Sequence, residues 1–334
     1  MRVSALWRYP VKSMAGESAD HLDLDRQRPR GDRLWALHDV ERDVTVTARR
    51  LPGVLLCSAR YASQPTIDSG PGNVPPVIIT LPDGAEVPSG DPGVHAVLSS
   101  ALDHDVRLVA LPADPKAHRM SWRERVAAAR GLTTDLGIRA DEQLPKLSDM
   151  DPRALLTLTR NATPPGSFVD LCPVHLLTES SLATVGRESD CEVPDARRFR
   201  PNILVADAPE GLPEAEWAGS TVALGDSARL HVVMKTVRCV VPSRQHDGLP
   251  LEKGLTRAVA TVGGRYLGAY ADIARTGRIT VGDPIRVTGP REPGRLGKAA
   301  ATARTATLDT LNRLAELPRR GPVSYTHLTL PTSD

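Results

Sequence analysis

Leu230-His231-Val232-Val233-Met234-Lys235-Thr236-Val237-Arg238-Cys239-Val240-Val241, closed by Pro242-Ser243, is the stretch that decides the fold. β-Branched residues crowd it, and period-two alternation predicts one extended strand from 228 to 241. On that strand Val233, Val237, Cys239 and Val241 share one face, and Met234, Thr236, Arg238 and Val240 the other. Cys239 falls where the strand runs into proline. A free cysteine on an apolar strand is by default a small buried hydrophobe. Beside Arg238 it is also a thiolate available as a nucleophile or a soft metal ligand, and spacing does not choose between these readings.

Outward from this strand the chain reads as short β-rich runs at 2–9 (broken at Pro10), 33–38, 44–48, 54–60, 77–81, 203–205 and 278–287. Val281-Gly282-Asp283-Pro284 turns into the last of them. Pro82-Asp83-Gly84, between apolar runs, signals a hairpin over 78–87. Asp91-Pro92 reads as N-cap and first-turn proline of a helix bearing Val94, Val97, Leu98, Ala101 and Leu102 at helical spacing. With 26 Gly and 29 Pro among 334 residues, turns and short strands are expected and a helical bundle is disfavoured. The predicted class is mainly β with some α. Residues 1–120 form a first β-barrel domain and 121–150 a connecting region with a short helix near 122–130. A second, β-barrel-like block spans 151–289. A tail at 290–322 carries a helix with Leu308, Leu311, Leu314 and Ala315 on one face. Residues 323–334 resemble the translation of a sequencing adaptor and are left out of the fold reasoning, so the natural C-terminus is expected to be missing.

The 42 basic residues nearly balance 40 acidic ones, for a net charge of +2, which gives no reason to expect nucleic acid or a membrane surface as partner. No apolar run of 18 residues exists to span a bilayer. The N-terminal segment lacks the apolar core of a signal peptide, and Cys57, Cys172, Cys191 and Cys239 show no C-x-x-C or iron–sulfur spacing, so a reducing cytoplasm with free thiols is expected. Six of the 42 basic residues are lysine, so arginine forks suited to phosphate or carboxylate dominate. H-E-x-x-H, G-x-S-x-G and Walker A signatures are absent.

Two more stretches carry chemistry. Tyr9-Pro10-Val11-Lys12-Ser13 delivers a cation and a hydroxyl to a turn, a pair able to hold phosphate. Arg197-Arg198-Phe199-Arg200-Pro201-Asn202 crowds three guanidinium groups ahead of an apolar strand, a repulsion that a bound anion would offset.

Taken in order, the segments L-W-R-Y-P-V-K-S-M-A-G-E, R-R-F-R-P-N-I-L-V, V-R-C-V-V-P and V-G-D-P-I-R-V resemble the MOSC-domain family over about residues 1–289. The two-part layout resembles the molybdenum enzymes akin to the mitochondrial amidoxime-reducing component. The resemblance implies a molybdenum cofactor, a pterin-bound metal with Cys239 as its protein thiolate, catalysing oxygen transfer. It implies cofactor contacts from Lys12, Ser13 and Arg33 (in Arg30-Gly31-Asp32-Arg33-Leu34-Trp35), from Arg200 and Asn202, from Arg238, and more weakly from Asp170 and Cys172 in Phe168-Val169-Asp170-Leu171-Cys172-Pro173. Two departures are Thr236, where relatives often have a second cysteine, and Pro242-Ser243-Arg244-Gln245, where they often have Thr-Thr-Val-Asp. The implied activity is reduction of N-hydroxylated or N-oxygenated small molecules, with electrons from an external ferredoxin or reductase. Alternatives are a non-redox cofactor or sulfur carrier using a Cys239 persulfide, and an interaction module with a vestigial pocket. Pyridoxal phosphate enters only by analogy with fused sulfurases, and this chain has no room for that module.

Overall fold

The computed structural model describes residues 1–114, 120, 151, 157, 160–161, 163–189 and 192–290. The connecting-region helix near 122–130, the tail helix of 290–322, residues 323–334 and Cys191 lie outside the described residues. The strands of the first half are β1 (Arg2–Arg8), β2 (Glu17–Ser18), β3 (His21–Leu24), β4 (Trp35–Asp39), β5 (Val44–Thr45), β6 (Ser58–Tyr61), β7 (Val77–Thr80), β8 (Glu86–Pro88) and β9 (Val106–Ala110). The second half adds β10 (Val174–Thr178), β11 (Ile203–Ala206), β12 (Thr221–Leu224), β13 (Ala228–Val237), β14 (Tyr266–Arg275), β15 (Gly277–Thr280) and β16 (Ile285–Thr288). Three helices are described: α1 (Val94–Leu102), α2 (Glu179–Glu188) and α3 (Leu255–Gly263). The protein is mainly β, as its sequence predicts.

An eight-stranded sheet runs β16-β12-β13-β14-β10-β11-β1-β2, beside three small sheets, β15-β3, β5-β4-β9 and β6-β7-β8. Among the described strands every pair is antiparallel except β10–β11, whose connection contains α2, as a parallel crossover needs. The first strand of the chain pairs with β11 of the second half, and β3 pairs with β15. The sheets therefore cross the line that composition draws between the two halves, and this brings the Lys12 turn onto the second-half strands.

Strand β13 alternates as its sequence demands: Ala228, Leu230, Val232, Met234 and Thr236 are buried, and their neighbours are exposed or half-buried. Three register irregularities against β14 bend the pair, as bulges do, and curl the sheet. The strand ends at Val237, four residues before the predicted end at Val241. From there the chain turns through a short 3-10 segment, Val241–Ser243, because Pro242 has no N–H to offer a ladder. Cys239 consequently sits on an exit loop rather than on a strand face.

Other local outcomes follow the same logic. Pro82-Asp83-Gly84 does turn β7 into β8: Gly84 has φ +86 and the Asp83 carboxylate accepts the Ala85 N–H at 3.0 Å. Helix α1 starts at Val94, after Asp91 Oδ1 accepts the Gly93 N–H at 2.7 Å. It buries Val94, Leu98 and Leu102, whereas Val97, predicted inward, is 39% exposed. The predicted strand at 54–60 is instead a 3-10 turn, Pro52–Leu56, followed by β6, since Pro52-Gly53 interrupts any ladder. Val54 and Leu55 still face inward and join a core with Val11, Met14, Ile79 and Leu98. Cys239 and Val241 pack against that first-half core, so the loop after β13 bridges the two halves. A second core fills the large sheet around Leu6, Leu176, Val205 and Leu230, and a third lies under α2 and α3.

Candidate functional site

Three turns carry the candidate side chains to one place. After β1, Tyr9 and Lys12 dock on β4: the Lys12 N–H donates to the Trp35 carbonyl at 2.8 Å and the Arg33 N–H to the Tyr9 carbonyl at 2.6 Å. Before β11, the 3-10 turn Ala196–Phe199 ends on Arg200 in left-handed conformation, φ +56. The Phe168–Asp170 loop closes the third side, with the Lys12 ammonium donating to the Phe168 carbonyl at 3.0 Å and pairing with Asp170.

Tyr9 is the keel of this arrangement. It is 2% exposed, its hydroxyl donates to the Pro201 carbonyl at 3.0 Å, and its N–H donates to Asp32 Oδ1 at 2.8 Å. The Arg33 and Arg200 guanidinium carbons lie 4.7 and 4.4 Å from its ring centroid, within cation–π range. Burial pushes the Tyr9 hydroxyl far above its ordinary pKa, so the ring stays neutral beside two cations. Arg33 is paired with the fully buried Asp32.

Arg200 donates from Nη1 to the Met14 carbonyl at 2.5 Å and to the Ser13 carbonyl at 3.4 Å. Its Nη2 is buried with no hydrogen-bond partner among the described residues. Burial, with Arg33 nearby, lowers its pKa to about 10, so the group stays charged at neutral pH and holds an unused donor. Lys12 is 5% exposed; burial lowers its pKa while the Asp170 carboxylate opposes the shift. Asp170 leaves two thirds of its side chain exposed. With the side chain this open, the Lys12 ammonium and the Arg49 guanidinium decide its titration and hold it well below the usual carboxylate range.

Cys239 is half-buried, and burial raises its thiol, with Arg49 the leading opposing influence and the Val241 N–H and Arg238 assisting. Arg49 also acts on Lys12 and Asp170. Lys12, Arg33, Arg49, Arg200 and Arg238 thus make five cations around two carboxylates, Asp32 and Asp170. Such an excess of poorly hydrated positive charge suits an anion.

The remaining predicted residues are present but otherwise engaged. Arg238 donates to the Leu267 carbonyl at 2.7 Å and the Phe199 carbonyl at 3.0 Å, and its third nitrogen meets His175 Nε2. It braces the exit of β13 with all three nitrogens. His175 Nδ1 donates to the Arg200 carbonyl at 3.3 Å. Burial and Arg238 lower the His175 pKa well below its ordinary value, which keeps Nε2 an acceptor. Asn202 spends its amide on backbone, accepting the His175 N–H at 3.2 Å and donating to the Trp7 carbonyl at 3.3 Å; it stitches β1, β10 and β11 behind the cluster. The Ser13 hydroxyl accepts the Ala48 N–H at 3.1 Å, which ties the Arg49 turn to the Lys12 turn. Cys172 is 8% exposed; burial, then Asp272 and Asp151, push its thiol up, so its charged neighbours repel a thiolate.

The three-arginine run divides its labour. Arg197 is paired with Asp195 at the surface. Arg198 donates to the carbonyls of Arg244 at 3.1 Å and Pro250 at 2.6 Å, pinning the loop that follows Cys239. Only Arg200 turns into the cluster. Sequence reasoning assigns no role to Tyr9, Asp32, Arg49 or His175. Tyr9 and Asp32 lie inside the quoted Lys12 and Arg33 segments, so their signal is adjacency to those residues; Arg49, after the short β5, carries none. Among the described residues no three His, Cys, Asp or Glu side chains group as a metal cage. A separate concavity lined by Asp39, Arg42, Arg50 and His104 includes none of the cluster, and its Asp39 is already taken by His104 and Arg42.

Comparison with known proteins agrees with the sequence motifs. Residues 1–82 match the MOSC N-terminal beta barrel domain and residues 164–286 the MOSC domain. Over 309 residues the chain is 25% identical to mitochondrial amidoxime reducing component 2 of Bos taurus, covering 85% of this chain and 82% of that protein. Among solved structures, the YUAD protein from Bacillus subtilis is similar at 12% identity and TM-score 0.41, covering 87% of this chain and 96% of that one. YiiM from Geobacillus stearothermophilus is similar at 16% identity and TM-score 0.30, covering 44% and 71%. Both matched segments supply the cluster, the first with Lys12, Arg33 and Arg49 and the second with Asp170, Arg200 and Cys239, and on these matches the chain belongs to the MOSC-domain family, with the MOSC N-terminal beta barrel domain preceding the MOSC domain.

Proposed function

We propose that this protein is a molybdenum-cofactor oxidoreductase that reduces N-hydroxylated or related N-oxygenated small molecules. MOSC domains are associated with binding of that cofactor, and the relative's name, an amidoxime reducing component, supports the choice of substrate class. The observation that carries the reading is the buried Arg200 Nη2, unpartnered among the described residues, inside a cationic cluster that converges on the Cys239 loop. A charged donor left unsatisfied is costly, and an anionic cofactor group is what would satisfy it.

The residues present fit the group. Lys12, Arg33 and Arg200 would hold its phosphate and polar heteroatoms, and the Cys239 thiolate would bind the metal. A pterin-bound ion brings its other ligands with it, so a single protein thiolate is enough to complete its attachment. When bound, the cofactor supplies two-electron oxygen-atom chemistry that side chains cannot. The protein's own work is to position and to tune. Cys239 must lose a proton to ligate, and Arg49 and Arg238 favour the anion. Asp170, held ionised, fixes Lys12 at the opening, and the Tyr9 ring holds Arg33 and Arg200 by cation–π contact. An external ferredoxin or reductase supplies electrons. Cys57, Cys172 and Cys239 are free thiols, which suits a cytoplasmic setting.

The test is molybdenum content by mass spectrometry on protein purified from a cofactor-producing host, beside Cys239→Ala. Near-stoichiometric metal in the first and loss of it in the second are expected, together with loss of reductase turnover. Metal-free protein in both would overturn the reading and turn attention to the sulfur-carrier alternative.

A further inference from the structure

His175 stands between Arg200, whose Nη2 is left over, and Arg238, which precedes Cys239, and the cofactor reading gives it no work. It is buried on β10, where the strand pairs with β14. Its ring meets the Tyr270 ring edge-on, with centroids 5.6 Å apart and planes at 62°, a packing that fixes the ring plane. A guanidinium has only hydrogens to give and no lone pair to offer. The contact between Arg238 Nη2 and His175 Nε2 therefore puts the ring proton on Nδ1, and that nitrogen faces the Arg200 carbonyl at 3.3 Å.

Arg238 Nη1 holds the preceding carbonyl, that of Phe199, at 3.0 Å. Two consecutive carbonyls of the arginine turn are thus held from behind, one by Arg238 and one by His175. Arg200 has φ +56 and ψ +47, a conformation that a residue with a Cβ keeps only where its surroundings impose it. In that turn its carbonyl meets His175 while its side chain reaches the Met14 carbonyl with Nη1 and leaves Nη2 over. The backbone of His175 secures the same segment: its N–H donates to Asn202 Oδ1 at 3.2 Å, and its carbonyl accepts the Asn202 N–H at 2.9 Å.

We propose that His175 is a positioning residue for the anion site: its Nδ1–H, in a tautomer set by Arg238, holds the Arg200 carbonyl and so keeps Arg200 in the left-handed turn that presents its unpartnered donor to a phosphate-bearing ligand. This role rests on the proposed function only as far as an anionic group at Arg200. Because the ring acts on Arg200 and not on the ligand, loss of the Nδ1 donor costs anion affinity more than stability. Loss of the Nε2 acceptor does the reverse, since it strands a buried Arg238 nitrogen.

Titration with inorganic phosphate, followed by phosphorus NMR on the full chain from a host that cannot make the cofactor, tests this beside thermal unfolding. His175→Gln offers an amide oxygen to Arg238 in place of Nε2 but nothing in place of Nδ1; it should weaken phosphate about fivefold, the usual worth of one hydrogen bond. His175→Asn keeps a donor in place of Nδ1 and leaves Arg238 without its acceptor. Its phosphate affinity should stay within about twofold of wild type while its thermal midpoint falls below that of His175→Gln. Nitrogen NMR on isotope-labelled histidine should find the Nδ1–H tautomer of His175 at neutral pH, with an Nδ1 resonance that moves saturably as phosphate is added. Equal phosphate affinity in the two variants, no saturable phosphate binding by the wild type, or an Nε2–H tautomer would overturn the proposal. Should the variants fail to fold, the wild-type tautomer and its response to phosphate decide. Molybdenum content is the separate test of the cofactor reading: metal-bearing protein with equal phosphate affinities sinks the role of His175 alone, and metal-free protein with the expected split sinks the cofactor reading alone.

Discussion

Replacing Gly268 by alanine should damage the fold and the candidate site through two separable effects. Gly268 has φ +88, and a Cβ built on it would lie 2.3 Å from His175 Nε2, 2.8 Å from the Leu176 carbonyl oxygen and 3.0 Å from Arg238 Nη2. Left-handed backbone costs a residue bearing a Cβ roughly 1–2 kcal/mol. Overpacking adds about 1–3 kcal/mol, and relief is hard here because one obstacle is a backbone carbonyl within the sheet. The combined loss of about 2–5 kcal/mol is a large part of a typical total of about 5–15 kcal/mol. Gly84 is the control: its φ is +86 and nothing lies within 4 Å of its would-be Cβ, so Gly84→Ala shows the backbone effect alone. Urea unfolding of both variants, with unchanged slope, gives the two losses. Gly268→Ala should exceed Gly84→Ala by about 1–3 kcal/mol. Equal losses would refute the claim that Gly268 is required by the close approach of His175 and Arg238.

Asp32→Asn should cost about 3–5 kcal/mol by stranding the Arg33 guanidinium inside the protein, read as a fall in thermal midpoint; adding Arg33→Met should recover part of it, and no recovery would mean that Asp32 acts mainly through the Tyr9 N–H. Tyr9→Phe keeps the ring between Arg33 and Arg200 but strips the Pro201 carbonyl of its donor, so a loss of about 1–3 kcal/mol is expected in urea unfolding, and wild-type stability would contradict the hydrogen bond. Burial, only partly opposed by the Val241 carbonyl, lowers the His246 pKa from 6.5 to about 4. The unfolded chain therefore takes up the proton first: stability is full above about pH 6.5 and falls as pH drops towards 4, by about 3 kcal/mol for this group. His175 shifts in the same direction and adds to the slope. His246→Gln should flatten the pH dependence of the urea midpoint, and an unchanged profile would remove His246 from the explanation.

Alternation along Ala228–Val237 and the turn chemistry of Pro82-Asp83-Gly84 are local, so the sequence displays them directly. The pairing of β1 with β11 is not local: Leu6 meets Ile203 across nearly two hundred residues, and no pattern within either strand names its partner. The end of β13 shows why boundaries fail. Apolar alternation continues to Val241, but Pro242 and the pull of the first-half core on Val241 take the chain off the sheet, and tertiary packing overrides the period. Among the candidate residues, Lys12, Arg33, Asp170, Arg200 and Cys239 stand in segments that the MOSC resemblance ties together, and the fold brings those segments near one another. Arg238 and Asn202 were legible as positions but not as roles, because whether a guanidinium or an amide faces a ligand or the backbone depends on carbonyls supplied by distant strands. Arg49 was invisible since it needs Ser13 to clamp Ala48 before its turn lies beside Lys12.

The backbone supplies an independent reason to treat this cluster as a site. Ser13, Arg33 and Arg200 all have positive φ, +71, +51 and +56, although none is glycine and none is of the Asn or Asp type that most readily tolerates it. Each such residue costs about 1–3 kcal/mol and persists only where its surroundings impose it. Here they do so through the Arg33 N–H on the Tyr9 carbonyl, the Arg200 N–H on the Arg197 carbonyl at 3.1 Å, and the Ser13–Ala48 clamp. Glycine at any of the three would relieve the backbone but would delete the side chain that the turn presents. Strained turns, an excess of cations and an unpartnered guanidinium nitrogen meet here, although Arg265 also has positive φ and Arg28 Nη1 also lacks a partner elsewhere among the described residues. The hydrogen bonds hold the strained turns in place, and a bound anion would in addition satisfy the nitrogen and balance the charge.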